Sequence, residues 1–357
     1  MSARLGIHLP RYDPKNNRIK GLCFRLIDKE HIEDLMDDAK KLIGHPKTSP
    51  ATRVMIRAFI ESSLVNAIKK SRETLNGFSI EANFPVEHIF KGYNLVTLAH
   101  NTPSRRSNLE AKAKYLEQIS RIEEEYPVPE IKGLVRSCEG YAVEQITHMN
   151  EALATQISAR FTRIFYDYPT DISPEAVMKM PNDHIVLVAR KIGSDKIAAV
   201  FMADKEIVNL NRKTGELRVG ERANDEEEVA FLDFVNVDAD RQIVLDIIPF
   251  MAYKAVYIAR NTYGPNLVVF AEARADSSIL QACCRLAGMK WAGTLEQSSI
   301  FGTSEVDESG AFFRDTQAWY LPSEYYSETF RKPTHYEALG GTYEERNATR
   351  EAIIARK

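Results

Sequence analysis

Leu267-Val-Val-Phe-Ala-Glu-Ala-Arg-Ala-Asp-Ser-Ser278 reads as a buried strand running directly into a helix. Residues 267–271 are uninterrupted apolar positions, as expected of a strand covered on both faces. Asp276, Ser277 and Ser278 are helix-start residues, and the spacing predicts a helix over 276–287. A return strand follows over 290–296.

Working outward from this unit, residues 229–237 predict another strand, and a helix follows it to about residue 260. Further upstream, strands over 185–190 and 197–203 flank Gly193-Ser-Asp-Lys196, a hairpin turn. Before them Ile146, Met149, Leu153, Ile157, Phe161 and Ile164 recur at helical spacing. Helix, antiparallel hairpin, strand, helix, strand, helix, strand is an α+β order with crossover helices. The fold class expected is α+β: a mixed central sheet flanked by helices, with a smaller N-terminal α/β domain.

The 357 residues suit two domains. Residues 1–20 read as an extension of turns, on Pro10, Pro14, Asn16 and Asn17. The small N-terminal domain spans 21–110. Within it Ile32, Leu35, Met36 and Ala39 mark a helix, a second helix is expected from about 52 to 75, and strands are expected at 78–82 and 95–100. A charged, helical connector covers 111–144, the main domain 145–322, and a polar tail with a short helix from about 344 covers 323–357.

Composition narrows the function. A net charge of −3 gives no electrostatic footprint for nucleic acid, and no apolar run is long enough to span a bilayer or form a signal peptide. A cytoplasmic location is the expectation. Cys23, Cys138, Cys283 and Cys284 show no metal-ligand spacing, the eight histidines are scattered, and no metal is expected.

Several stretches together resemble one family. Ala271-Glu-Ala-Arg-Ala275, Arg285-Leu-Ala-Gly288 and Trp291-Ala-Gly-Thr-Leu295, with Tyr168-Pro169 upstream, resemble the β-lysine N-acetyltransferase family of the GNAT superfamily. Gly77-Phe-Ser-Ile-Glu-Ala82, Phe90-Lys-Gly-Tyr93 and Ser104-Arg-Arg-Ser107 look like that family's short first domain. The resemblance runs over residues 20–322 and implies a GNAT-type acyltransferase.

Such an enzyme takes an acyl group from acyl-CoA, or from the pantetheine of an acyl carrier protein, to a small primary amine such as an amino acid. The resemblance implies donor contacts at Val235, Val237, Arg241, Gln242 and Ser277. The superfamily's phosphate loop is Arg-Gly-x-Gly/Ala leading into a helix, whose N–H groups solvate the pyrophosphate. Here Arg241 is retained, while Gln242 and Val244 stand where the glycines belong. Val244 resists a positive φ, and Pro249 is expected to delay the helix so that Asp246 caps it.

Asp233, in the apolar run Phe231-Leu-Asp-Phe-Val235, is the base candidate, since a buried carboxylate must be paired or hold its proton. Glu228, at the strand's start, is the second candidate, with a solvated acidic loop as its plainer reading. Cys284 occupies the superfamily's tyrosine position as an acid candidate, or serves as a buried apolar group. Arg274, at a strand end, is the first candidate for binding the substrate, with pairing inside the protein as the alternative. Gln297 and Ser298 fall on the family's Asn-rich acceptor stretch, and Tyr168 is expected to close the same pocket. A homodimer is left open. The competing reading is a GNAT-like binding or assembly protein that does not use acyl-CoA, and thioester hydrolysis or decarboxylation on the same scaffold is a third.

Overall fold

The computed structural model describes residues 7–13, 18–42, 51–71, 77–86, 88–101, 109–164, 171–219, 221–300 and 313–322. The N-terminal half contains β1 (Ile7–Asp13), β2 (Arg18–Ile27), α1 (Ile32–Leu42), β3 (Arg53–Glu61), α2 (Ser62–Ser71), β4 (Ser79–Pro85) and β5 (Tyr93–Asn101). Then come α3 (Leu109–Glu125), α4 (Ile131–Ser137), β6 (Tyr141–Gln145), α5 (Glu151–Ile164) and α6 (Pro174–Asp183). The remainder is β7 (His184–Lys191), β8 (Ile197–Asn211), β9 (Glu216–Arg218), β10 (Glu226–Ala239), α7 (Val244–Tyr263), β11 (Leu267–Arg274), α8 (Ser278–Leu286), β12 (Lys290–Ile300) and β13 (Phe313–Tyr320).

The mixed α/β architecture is as expected, but its sheet extends across both halves of the chain. Among the described residues, thirteen strands join one sheet in the order β1-β2-β3-β5-β4-β12-β13-β11-β10-β8-β7-β6, with β9 paired to both β2 and β8. Through β9 the path closes on itself: Arg25 pairs with Glu216, and the Leu26 N–H donates to the Gly215 carbonyl at 2.9 Å. On the other side β12 meets β4 at Gly293 and Ala82.

The closed part of the sheet is filled by Met55, Phe59, Phe84, Phe90, Leu95, Val208, Leu210, Phe231, Val268 and Phe270. On its outer face α1 packs with Ile19, Ile56, Ile60, Val96 and Leu98. A third core lies under α7 and takes Leu232, Phe234, Val269 and Ala271. The sidedness follows from the period of two along β10. Ala230, Leu232 and Phe234 face α7, so Phe231 and Asp233 face the closed interior.

Several expectations are corrected. Residues 7–13 and 18–20 form β1 and the start of β2 rather than turns, while Pro14, Asn16 and Asn17 lie outside the described residues; β1 ends the sheet path, where Pro10 costs no central hydrogen bond. The helix expected from about 52 is first a strand, β3, and only then α2. Val54, Met55, Ile56, Ala58, Phe59 and Ile60 are buried on both faces, and such a run has no period to separate strand from helix. The helix expected to begin near Ile146 begins at Glu151, where Asn150 Oδ1 accepts from the Leu153 N–H at 2.8 Å. β6, α6, β9 and β13 were not expected from the sequence. The helix expected in the tail lies outside the described residues.

Pro249 does not delay α7. The helix starts at Val244 with Ile243 as N-cap, its φ of −122° needing no glycine. Asp246 is therefore the third helical residue, and Pro249 lies inside the helix.

Candidate active site

β10 and β11 run parallel and pair from Ala230 with Leu267 through Phe234 with Ala271. Past that point they diverge. β10 bulges between Phe234 and Asn236 and stays with β8, while Glu272, Ala273 and Arg274 of β11 pair only with β13. A bulge bends its strand and re-aims the side chains beyond it. The divergence leaves a crevice of about 680 Å³ including its open mouth. Val235, Val237, Ile248, Ala252, Ala273 and Leu280 are among the residues that line it, and Glu272 and Arg274 stand on the β11 side. The walls are predominantly apolar and the polar groups converge on one edge, the usual make-up of a small-molecule site.

That edge continues into a charged layer in the closed interior. Arg57 Nη2 of β3 donates to Glu272 Oε1 at 2.9 Å and lies 4.0 Å from Asp233 Oδ2. Its guanidinium carbon sits 4.0 Å from the centre of the Phe270 ring, a cation–π contact. Lys20 Nζ of β2 is 3.8 Å from Glu272 Oε1. Asp204 of β8 is the cross-strand partner of Asp233.

Burial pushes the Asp233 carboxyl up to about 7, against the pull of Arg57 and with the Glu272 and Asp204 charges adding to the rise. Burial acts on Glu272 in the same direction, but Lys20 and Arg57 outweigh it and hold that carboxyl well below its ordinary range. The two carboxyls titrate as a pair, one poised near neutrality and one ionised.

The expected site residues divide into three groups. Val235, Val237, Arg274 and Cys284 line the crevice, and Asp233 lies in the layer behind Glu272. Arg274 is paired with Asp276, Nε to Oδ1 at 2.8 Å and Nη2 to Oδ2 at 2.7 Å. Ser277 caps α8, its hydroxyl accepting from the Leu280 N–H at 3.4 Å. Burial pushes the Cys284 thiol up to about 12, which keeps it protonated but makes it a weak acid toward a departing thiolate.

Glu228 does not join the site. It lies five residues before Asp233 on β10, roughly 17 Å away at strand rise, with its carbonyl accepting from Asn266 Nδ2 at 3.3 Å. Arg241 and Gln242 occupy an exposed turn ahead of α7, outside the crevice lining. Gln297 and Ser298 continue β12, but their side chains, like the whole of Tyr168, lie outside the described residues.

Sequence reasoning missed Arg57, Lys20 and Arg160. Arg57 is the one charge within an apolar run, a signal in itself, but its partner Glu272 stands 215 positions away. Arg160 of α5 is buried and bonds Asp238, Asp240 Oδ1 at 3.0 Å and the carbonyls of Ile197 and Ala198. It ties the end of β10, and with it the start of the turn before α7, to α5.

No protein-family model and no curated protein matches the chain. Several solved acetyltransferase structures align with about half of the chain. NAA60 from Arabidopsis thaliana in complex with a bisubstrate analogue is 13% identical, covering 51% of this chain and 99% of that one with a TM-score of 0.36. An acetyltransferase of the GNAT family from Streptococcus pneumoniae is 12% identical, covering 50% and 97% with a TM-score of 0.33. An acetyltransferase from Bacillus subtilis in complex with CoA is 13% identical, covering 51% and 97% with a TM-score of 0.31.

Proposed function

We propose that the chain is a GNAT-type N-acyltransferase that moves an acyl group from a pantetheine thioester to a small primary amine. The observation that carries this reading is the divergence of β10 and β11 past Phe234 and Ala271, which opens an apolar crevice against a poised carboxyl pair. The strand edges left unpaired by each other past Phe234 and Ala271 can meet the two amides of a pantetheine arm, and the apolar walls its methylenes. An amine needs a base, and Asp233 near 7 can hold a proton or release it at neutral pH.

In the reaction, Asp233 accepts a proton from the acceptor's ammonium. The freed amine nitrogen attacks the thioester carbonyl carbon, the C–N bond forms and the C–S bond breaks. The nitrogen sheds its extra proton as it becomes an amide, the thiolate leaves with its electron pair and takes up that proton, and Asp233 returns its own proton to solvent. Glu272 stays ionised and keeps Arg57 and Lys20 in place; the apolar walls exclude water from the thioester.

The region before α7 favours a carrier-bound pantetheine over free CoA as donor. Gln242 and Val244 replace the glycines that let phosphate approach, and Asp240 and Asp246 place carboxylates beside the helix start. A pantetheine thioester on an acyl carrier protein carries a single phosphodiester in place of the adenosine pyrophosphate, so the lost glycines matter less. The same residues favour the second reading, a GNAT-like binding module without transferase activity.

The deciding experiment is a thermal-shift series with acetyl-CoA, acetyl-pantetheine and an acylated carrier protein. Binding raises Tm by mass action. No shift with any of the three at millimolar concentration would remove the acyltransferase reading.

A further inference from the structure

We infer that Arg57, from the N-terminal half of the chain, is a positioning residue of the acid–base site: it fixes Asp233 and Glu272 against each other at the edge of the crevice. The assignment rests on the acyl-transfer reading for its purpose, and on geometry for its substance.

Three contacts fix the guanidinium. Nη2 donates to Glu272 at 2.9 Å, the same nitrogen is 4.0 Å from Asp233, and the plane rests on Phe270. Phe270 and Glu272 share one face of β11, so ring and carboxylate hold the planar cation from two sides. The position is built by the closed sheet. β3 carries Arg57 between Met55 and Phe59 on the inward face, and Phe59 packs on Phe90 and Phe231. The residue therefore reaches a site on β10 and β11 only because the two halves share one sheet.

The charged groups facing Asp233 are Arg57 from β3, Lys20 from β2, Asp204 from β8 and Glu272 from β11. Two are cations and two are anions. Of these four groups, removing Arg57 leaves one cation, Lys20, against two carboxylates, so Asp233 holds its proton to higher pH.

The test uses the full chain with carboxyl-labelled aspartate, following Asp233 by NMR through a pH titration in wild type, Arg57→Gln, Arg57→Lys and Glu272→Gln. Arg57→Gln is expected to raise the Asp233 midpoint by about one unit or more. That costs roughly fivefold or more in acyl transfer at neutral pH and moves the acid limb of the pH–rate profile up by the same one unit or more. Arg57→Lys restores the charge but not the guanidinium's contact with the Phe270 ring, and lies between. Glu272→Gln is expected to lower the midpoint, which keeps the test open if Arg57→Gln does not fold. A folded Arg57→Gln protein with the wild-type midpoint would overturn the assignment, as would an unmoved midpoint in Glu272→Gln. A shifted midpoint in a wild type that transfers no acyl group would instead overturn the acyl-transfer reading and leave Arg57 in its place.

Discussion

Gly293 of β12 lies directly against Ala82 of β4, and this pair is where the two halves of the chain are joined on one side of the closed sheet. A Cβ on Gly293 would overlap the Glu81 carbonyl oxygen and stand 2.9 Å from the Ala82 Cα, and the residue's φ of +154° already favours glycine. Backbone, not a flexible side chain, is what it would meet. Gly293→Ala is expected to lower stability by about 3 kcal/mol or more, read as a lower urea midpoint by circular dichroism.

Asp233 ties stability to pH. Its folded carboxyl titrates near 7 against an ordinary value of 3.8, so the native state holds a proton that the unfolded chain has released. Its contribution is fully present below 3.8 and is lost as pH rises through about 7. Glu272, with the opposite shift, loses its contribution only as pH falls below the ordinary carboxylate range. Asp233→Asn is therefore expected to flatten the fall in Tm between these two values, and to cost on the order of 100-fold in acyl transfer. Calorimetry across pH and a steady-state assay check the two halves.

Arg160 holds Asp238 and Asp240 at the end of β10. Asp238 is buried, and deleting its partner leaves a carboxylate without its cation. Arg160→Ala is expected to destabilise by about 3–5 kcal/mol in chemical denaturation. Replacing Asp238 by Asn at the same time should recover part of that loss.

The crevice itself can be filled. Val237 lines it and is only partly buried, so an indole at that position has the open slot to enter. Val237→Trp is expected to weaken binding of acyl-pantetheine by tenfold or more while leaving Tm within a few degrees of wild type. Isothermal titration with the thioester measures the first and calorimetry the second.

The second half of the chain was legible because its elements carry local signals. Gly193 marks the β7–β8 turn with a φ of +83°, and Ser277 caps α8. Leu267–Arg274 is a continuous buried strand, as its composition reads. The first half was less legible because β3 is buried on both faces and so loses its period. The closure through β9 rests on a three-residue strand paired across about 190 positions (Arg25 with Glu216), which no local pattern announces. The same reason governs the site. Asp233, Arg274 and the altered loop stood out as single residues in context, whereas Arg57 acquires meaning only from Glu272. Glu228 ranked second to Asp233 on the sequence, and its place five residues earlier on β10 sets it roughly 17 Å away.

The central claim is that the crevice between β10 and β11 carries a pantetheine thioester to an amine deprotonated by Asp233. The most direct measurement is thiol release from acetyl-pantetheine, followed against a panel of small primary amines with the acylated product counted by mass spectrometry. One thiol per amide formed is expected, with release suppressed in both Val237→Trp and Asp233→Asn. Release that is absent with every thioester and amine at millimolar concentration, or that survives both substitutions unchanged, would contradict it.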